Sequence, residues 1–300
     1  MADNRRSSSS DVITRAYLDS LLVEMRHLDA VMPSTELKLY GKTFSTPVMT
    51  GALSHLNNSY PDGMTEWARG AAAAGAVVWS GMGPEAELDA MVNTGASVIK
   101  IIKTYADRDM VYRKIRHAEE CGALAVGLDI DHAFNRQRGY DEIDGMPMYP
   151  LTQDELRDMV NATKLPFVIK GVLSRQDARK CQDAGVQGMV VSHHNGRLEC
   201  AVPPLMILEE IKAETRGEVP LFVDCSLESG MDVFKAMALG ATACSIGRPL
   251  MRRLKENGAA GVQAGIEEIT RNLRYTMAMT CSKDLKDIDR SVVRESKFHW

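Results

Sequence analysis

Residues 189–197 read MVVSHHNGR, an apolar, β-branched run that breaks at Ser192 into a hydroxyl, two imidazoles, an amide, a glycine and a guanidinium. A strand of this kind is buried along its length and delivers polar side chains at its end. Continuous apolar runs, unlike alternating ones, mark strands covered on both faces, as in a parallel sheet. The fold turns on whether other runs share this form.

They do. Working back, the chain offers LPFVIKG (165–171), ALAVGLDID (123–131), ASVIKII (96–102), AVVWSGM (76–82) and PVMTGA (47–52). Working forward, it offers VPLFVDCS (219–226) and ATACSIGRPL (241–250). Segments with helical spacing separate them, and Gly75, Gly122, Gly185 and Gly240 stop four of these helices just before the next strand. Ahead of the series, residues 11–31 predict a helix with Asp11 as N-cap, and LKLYGKTFSTPV predicts a hairpin turning at Tyr40-Gly41. Behind it, an amphipathic helix is expected from about Gly261 to Met279. Eight β-α units in one uninterrupted series predict an α/β fold, a (β/α)8 TIM barrel with an N-terminal helix and hairpin and a C-terminal helix. A doubly wound sheet would carry a Gly-rich phosphate turn after its first strand, and PVMTGALS is not G-x-G-x-x-G. The strand runs are too β-rich for a helical repeat.

Composition narrows the class. The chain has 300 residues, 45% hydrophobic and 25% charged, within the range of a single barrel domain over residues 11–300. A net charge of -4 gives no reason to expect nucleic acid as a partner. No apolar run reaches the ~20 residues of a membrane span. MADNRRSSSS (1–10) lacks the apolar core of a secretion signal and reads as a disordered polar tail. The six cysteines show no C-x-x-C pair, which argues against metal spacing and makes a reducing, cytoplasmic setting the default. The eighteen methionines read as core filler.

Ligands of such barrels sit at the carboxyl ends of the strands. Those ends carry Thr50-Gly51-Ala52, Ser80-Gly81, Lys100, Asp129-Ile130-Asp131-His132, Lys170-Gly171, Ser192 to Arg197, Asp224-Cys225-Ser226 and Gly247-Arg248. Taken singly, each reads as a solvated strand end. Two lysines, two carboxylates, histidine and arginine on one rim read as a site. Lys170 closes an apolar strand and is expected to meet an anion. Asp129 and Asp131 lie two apart, on one side of their strand, and a carboxylate beside an imidazole orients it and raises its basicity. Ser192 and His194 share a side, so His194 is expected to point inward and His193 away. The small residues of DCSLESG and SIGRPL, with Arg248, predict a phosphate site after the last two strands.

FVIKGVLS, AGVQGMVVSHHNGR, VPLFVDCS, DVFKAMALGA and SIGRPL, in this order and spacing, resemble the FMN-dependent α-hydroxy-acid oxidases and dehydrogenases, the family of glycolate oxidase, lactate oxidase and the flavin domain of flavocytochrome b2. The resemblance runs from the hairpin to about residue 250. It implies FMN as cofactor, with His194 as general base, Asp131 as its carboxylate partner and Lys170 beside the flavin. Arg197 is implied as the clamp on a substrate carboxylate, with Arg138 helping to hold it. Thr50, Gly51, Ala52, Ser80, Lys100, Asp129, Lys170, Ser192, Asp224, Cys225, Ser226, Gly247 and Arg248 are implied at the cofactor. The partners implied are a small-molecule carboxylate substrate, an electron acceptor that is oxygen or another molecule, and further copies of the chain in a homo-oligomer, a tetramer by resemblance.

The sequence also departs from the family pattern. An N-terminal active-site tyrosine falls on Ser20 and a strand-three tyrosine on Ile102. A flavin-contacting glutamine becomes Lys100, a strand-four threonine becomes Asp129, and the two are neighbours able to pair. His193 and Asn195 replace an asparagine and a glycine. The phosphate turn becomes Cys225-Ser226-Leu227-Glu228 and loses an arginine. The expected activity is oxidation of a 2-hydroxy carboxylate to the 2-oxo acid. The alternatives are an FMN-dependent reductase or isomerase of another anion on the same barrel, and a non-catalytic barrel that no longer binds FMN.

Overall fold

The computed structural model describes residues 9–137 and 139–296. Eight parallel strands form one sheet: β1 (Val48–Thr50), β2 (Val77–Ser80), β3 (Ser97–Lys103), β4 (Ala125–Asp129), β5 (Phe167–Val172), β6 (Gly188–Val191), β7 (Leu221–Val223) and β8 (Ala243–Ile246). Their order around the sheet is β1-β8-β7-β6-β5-β4-β3-β2. The ring closes between the first two strands through a parallel bridge at Leu53 and Ser80. There the Thr50 hydroxyl accepts the Trp79 N–H at 3.0 Å and Leu53 O accepts the Gly81 N–H at 2.9 Å. The chain is a (β/α)8 barrel.

Both faces of each strand are covered, so the barrel has two cores. Met49, Val77, Trp79, Ile99, Ile101, Ala125, Val168, Val190, Phe222 and Ala243 fill the interior. Val78, Val98, Ile102, Val126, Leu128, Ile169 and Val191 face the surrounding helices. The hairpin of Leu37–Leu39 and Lys42–Phe44 turns at Tyr40 and Gly41, both at positive φ (47° and 77°). It plugs the barrel floor, placing Leu37, Leu39 and Phe44 in the inner core.

The helices are α1 (Ser10–Ser20), α2 (Gly63–Ala73), α3 (Glu85–Val92), α4 (Arg108–Glu120), α5 (Gln153–Asn161), α6 (Arg175–Asp183), α7 (Pro204–Glu214), α8 (Gly230–Ala238) and α9 (Arg248–Ala278). Two spans differ from expectation. The first helix ends at Ser20, not at residue 31, because Leu21–Val23 pairs antiparallel with Val293–Glu295. The last helix begins at Arg248, directly after β8, and breaks at Asn257 and Gly258. Glu66 Oε2 accepts the Ala259 N–H at 3.0 Å and caps the second half. The expected tail, residues 1–10, lies outside the described residues except for its end, where Ser10 opens α1. Among the described residues no helix is long and apolar enough to cross a membrane.

Candidate active site

Side-chain parity decides which strand-end residues meet. Successive side chains alternate between faces, and Ile99 and Ile101 point into the barrel. Lys103 continues that inward row and Lys100 takes the other face. By the same count Asp129 follows Ala125 inward, Lys170 follows Val168, Ser192 follows Val190 and Asp224 follows Phe222. Lys103, Asp129 and Lys170 are successive partners in strand register, so the top interior layer carries a Lys-Asp-Lys row.

The contacts follow from that layer. Lys103 Nζ donates to Asp129 Oδ2 at 2.6 Å. Asp129 Oδ2 also lies 3.4 Å from His194 Nδ1, while Asp131 Oδ1 lies 2.7 Å from the same nitrogen. Lys170 Nζ stands 3.1 Å from His194 Nδ1 and 3.8 Å from Asp224 Oδ2. The shorter contact and the carboxylate charge assign Nδ1–H to Asp131, leaving Nε2 as the working atom. Burial and Lys170 disfavour the charged imidazole, but Asp129 and Asp131 outweigh them and raise its pKa. Burial opposes the Asp129 carboxylate, yet Lys170, His194 and Lys103 hold its pKa well below the usual range. Burial and the Asp129 charge raise that of Asp131.

His194 reaches this centre through a turn. The strand stops at Val191, and His194, Asn195 and Gly196 all take positive φ (49°, 60° and 98°). Ser192 Oγ pins the turn by accepting the His194 N–H at 2.9 Å. His193 points the other way: its Nδ1 accepts the Gly196 N–H at 3.1 Å, so Nε2–H donates to Thr14 on α1 at 2.7 Å. Burial lowers the His193 pKa and keeps it neutral. Helix α1 thus lies against the rim. Asp11 pairs with Arg248 at 3.2 Å, and Arg15 donates to Ser226 O at 3.1 Å and pairs with Asp232. Ser20, at the far end of α1, spends its hydroxyl on Tyr17 O.

The segment after β4 forms two short antiparallel pairs, Phe134–Asn135 with Gly139–Tyr140 and Glu142–Ile143 with Met146–Pro147. It brings Asp141 to Arg197, whose NH2 group donates to Asp141 Oδ2 and to Phe134 O, each at 2.7 Å. It also places His132 Nε2 at 3.2 Å from His194 Nε2. Arg138 lies outside the described residues.

A cleft of about 150 Å³ opens beside this centre, lined by Gly51, Ala52, Lys170, His194, Asn195, Asp224, Cys225, Ser226, Glu228, Gly247 and Arg248 among others. Its construction fits a phosphorylated flavin. Gly51 and Gly247 pack so closely that a Cβ on Gly51 would stand 2.7 Å from Gly247 Cα. Cys225 and Ser226 sit at positive φ (70° and 56°), turning their backbone into a tight loop. The N-terminus of α9 has no side-chain cap and opens beside Arg248, an arrangement suited to a phosphate. Glu228 on the same cleft subtracts from that positive potential.

Of the other expected cofactor residues, Thr50, Ser80, Lys100, Asp129 and Ser192 do not line this cleft. Ser80 and Lys100 point outward: Lys100 Nζ bonds Ser80 Oγ at 3.3 Å and also Gly81 O. Burial and Lys114 push the Lys100 pKa down to about 8. The expected Lys100–Asp129 pair is absent because Asp129 stands opposite Lys103 in register, three residues further along β3. Lys103, Asp141, Thr14 and Arg15 were not foreseen at the site, and His132, expected on the rim, had been given no role there.

The sequence pattern of the FMN-dependent dehydrogenase family matches residues 6–153 and 148–295. Glycolate oxidase of Spinacia oleracea is 28% identical over 327 aligned positions, covering 97% of this chain and 86% of its own. Glycolate oxidase 3 of Oryza sativa subsp. indica is 30% identical, over 84% of this chain and 79% of its own. A solved structure of mandelate oxidase with 3,3-difluoro-2-hydroxy-3-phenylpropionic acid superposes with a TM-score of 0.88 at 28% identity, covering 97% of this chain and 92% of that one. Another, of mandelate oxidase with (S)-2-phenylpropionate, gives 0.87 at 28% identity, over 96% and 90%.

Proposed function

The chain belongs to the FMN-dependent dehydrogenase family, and from that premise we propose that it oxidises a small 2-hydroxy carboxylate to the 2-oxo acid with His194 as the base. The observation that carries this reading is the 2.7 Å contact between His194 Nδ1 and Asp131 Oδ1. It fixes the imidazole tautomer and leaves Nε2 to take the proton of the substrate hydroxyl. The paired carboxylate then stabilises the imidazolium that forms.

Arg197 is the proposed clamp, since Nε and NH1 are not the atoms used by Asp141 and Phe134. A guanidinium edge binds a carboxylate in a two-point fork. Gly51, Ala52, Lys170, the Cys225-Ser226 turn, Gly247 and Arg248 would hold FMN. When bound, it supplies an acceptor for the hydride from the substrate α-carbon. Lys170 supports negative charge there: burial opposes its own charge, but Asp129, Asp224 and Asp131 outweigh burial and raise its pKa. The proposed final electron acceptor is oxygen or another molecule, and a homo-oligomer in a reducing cytoplasm is the proposed setting.

Anaerobic addition of a panel of 2-hydroxy acids to the yellow protein tests the reading. Bleaching of the oxidised flavin band by at least one acid is expected, and no bleaching with any of them would sink it.

A further inference from the structure

His132 has no part in the steps above, yet it touches their working atom. It ends the short 3₁₀ turn Ile130–His132 that follows β4. Its ring stands edge-on to that of His194, with centroids 4.3 Å apart and planes at 76°. The two Nε2 atoms are 3.2 Å apart. Two lone pairs at that separation repel, and two N–H groups collide, so a single proton must lie between them.

That proton has two possible owners. A neutral His194 would accept it from His132, or an imidazolium His194 would donate it. The far side of His132 favours the second. His132 Nδ1 is buried without a hydrogen-bond partner and faces Asp141 Oδ2 at 3.4 Å. As an N–H it faces that carboxylate favourably, and as a lone pair it does not. Burial and the nearby Lys103, His194 and Arg197 charges push the His132 pKa down to about 3, which keeps this ring neutral and able to accept.

We propose that His132 is a positioning residue for the base: it shares the Nε2 proton of His194 in the free enzyme, and the substrate hydroxyl takes its place. His194 must release the shared proton to solvent before it can accept one from substrate, so His132 sets the pH at which the base becomes available. A charge-assisted N–H···N bond is stronger than a neutral one, so His132 favours the imidazolium. Asp129, Asp131 and Lys170 face His194, and Lys103, Asp129, Asp131, Asp141 and Arg197 face His132. All of them are retained when only His132 is changed.

This inference rests on His194 being the base, but its first test does not need substrate. In FMN-loaded protein labelled with ¹⁵N-histidine, a through-hydrogen-bond coupling between the two Nε2 nuclei is expected, and its absence overturns the shared proton even if no variant folds. Failure of every hydroxy acid to bleach the flavin would instead remove the proposed function and leave this coupling as found. In turnover, His132→Phe should move the acid limb of kcat/KM down by about one pH unit. His132→Gln, whose amide can donate or accept, should keep it near wild type, with FMN content and thermal midpoint matched across the set. An unmoved limb in the Phe variant, or an equal shift in both variants, overturns the proposal.

Discussion

Asp141 and Arg197 form an ion pair of 2.7 Å, so a carboxylate of the protein rests on the guanidinium that the proposed reaction needs for the carboxylate of the substrate. Both groups arrive from loops, Asp141 from the segment after β4 and Arg197 from the turn after β6. The pair is partly buried, which makes it stronger than a surface bridge and puts it in competition with an incoming anion.

Asp141→Asn should therefore lower KM for the hydroxy acid by about 3- to 10-fold while kcat changes little. The amide still accepts from Arg197, so the side chain stays in place while the competing charge is gone. Steady-state kinetics at fixed ionic strength check this. A raised KM would mean that Asp141 aims Arg197 instead of competing for it.

The Lys103–Asp129 pair predicts a stability effect. Both side chains are buried and their atoms are 2.6 Å apart. Removing one partner of a buried pair strands the other, at a cost of about 3–5 kcal/mol. Lys103→Met should destabilise the protein by roughly that amount in urea unfolding. Lys103→Met with Asp129→Leu should recover much of the loss. A single variant as stable as wild type would show that Lys170 alone suffices for Asp129.

Lys103 also shows where the sequence stops being readable. A parallel strand buried on both faces carries no polar-apolar alternation, so the very pattern that revealed eight strands hid which side chains point inward. The expected strand ASVIKII (96–102) carries Lys100 inside its apolar run, which placed that lysine on the rim, and it stops one residue short of Lys103. Ile99 and Ile101 fill the interior, which sends Lys100 outward and Lys103 inward. His194, Asp131 and Lys170 were legible because strand ends converge in a barrel whatever the parity of a single strand. Thr14, Arg15 and Asp141 were not, because their contacts depend on how α1 and the segment after β4 fold back on the rim. The start of α9 was hidden because SIGRPL is as apolar as a strand, and only Gly247 and Pro249 mark the change.

The imidazole of His194 carries a pH prediction. Its pKa is raised, because Asp129 and Asp131 outweigh burial and Lys170. A base must be neutral to act, so kcat/KM should rise with pH along a limb centred above the ordinary value of 6.5. Asp131→Asn removes one stabilising carboxylate. It should move that limb to lower pH and cut kcat by about 100-fold. For stability the sign is the opposite of the activity: a raised histidine pKa contributes fully below 6.5 and is lost as pH rises through the folded value. The thermal midpoint of wild type should then fall over that window more steeply than that of the variant. Parallel slopes would assign the pH dependence to other groups.

The cleft at β7 and β8 predicts a gain of function. Its positive features are Arg248, Lys170 and the uncapped start of α9, and Glu228 opposes them at the exposed edge. Arg248 is already shared with Asp11 at 3.2 Å and with Asn195. A dianionic phosphate held there would meet one partly occupied guanidinium and one carboxylate. Glu228→Arg replaces a repulsive charge with an attractive one at a solvent-exposed position, where screening limits the effect. FMN affinity should rise about 10-fold, equal to roughly 1.4 kcal/mol, and the gain should shrink as salt is raised. Glu228→Gln should give a smaller gain in the same direction. Flavin fluorescence titration of the apoprotein at low and high salt measures all three. An affinity unchanged in both variants would place the phosphate away from Glu228, against the backbone of Gly51 and Gly247 alone.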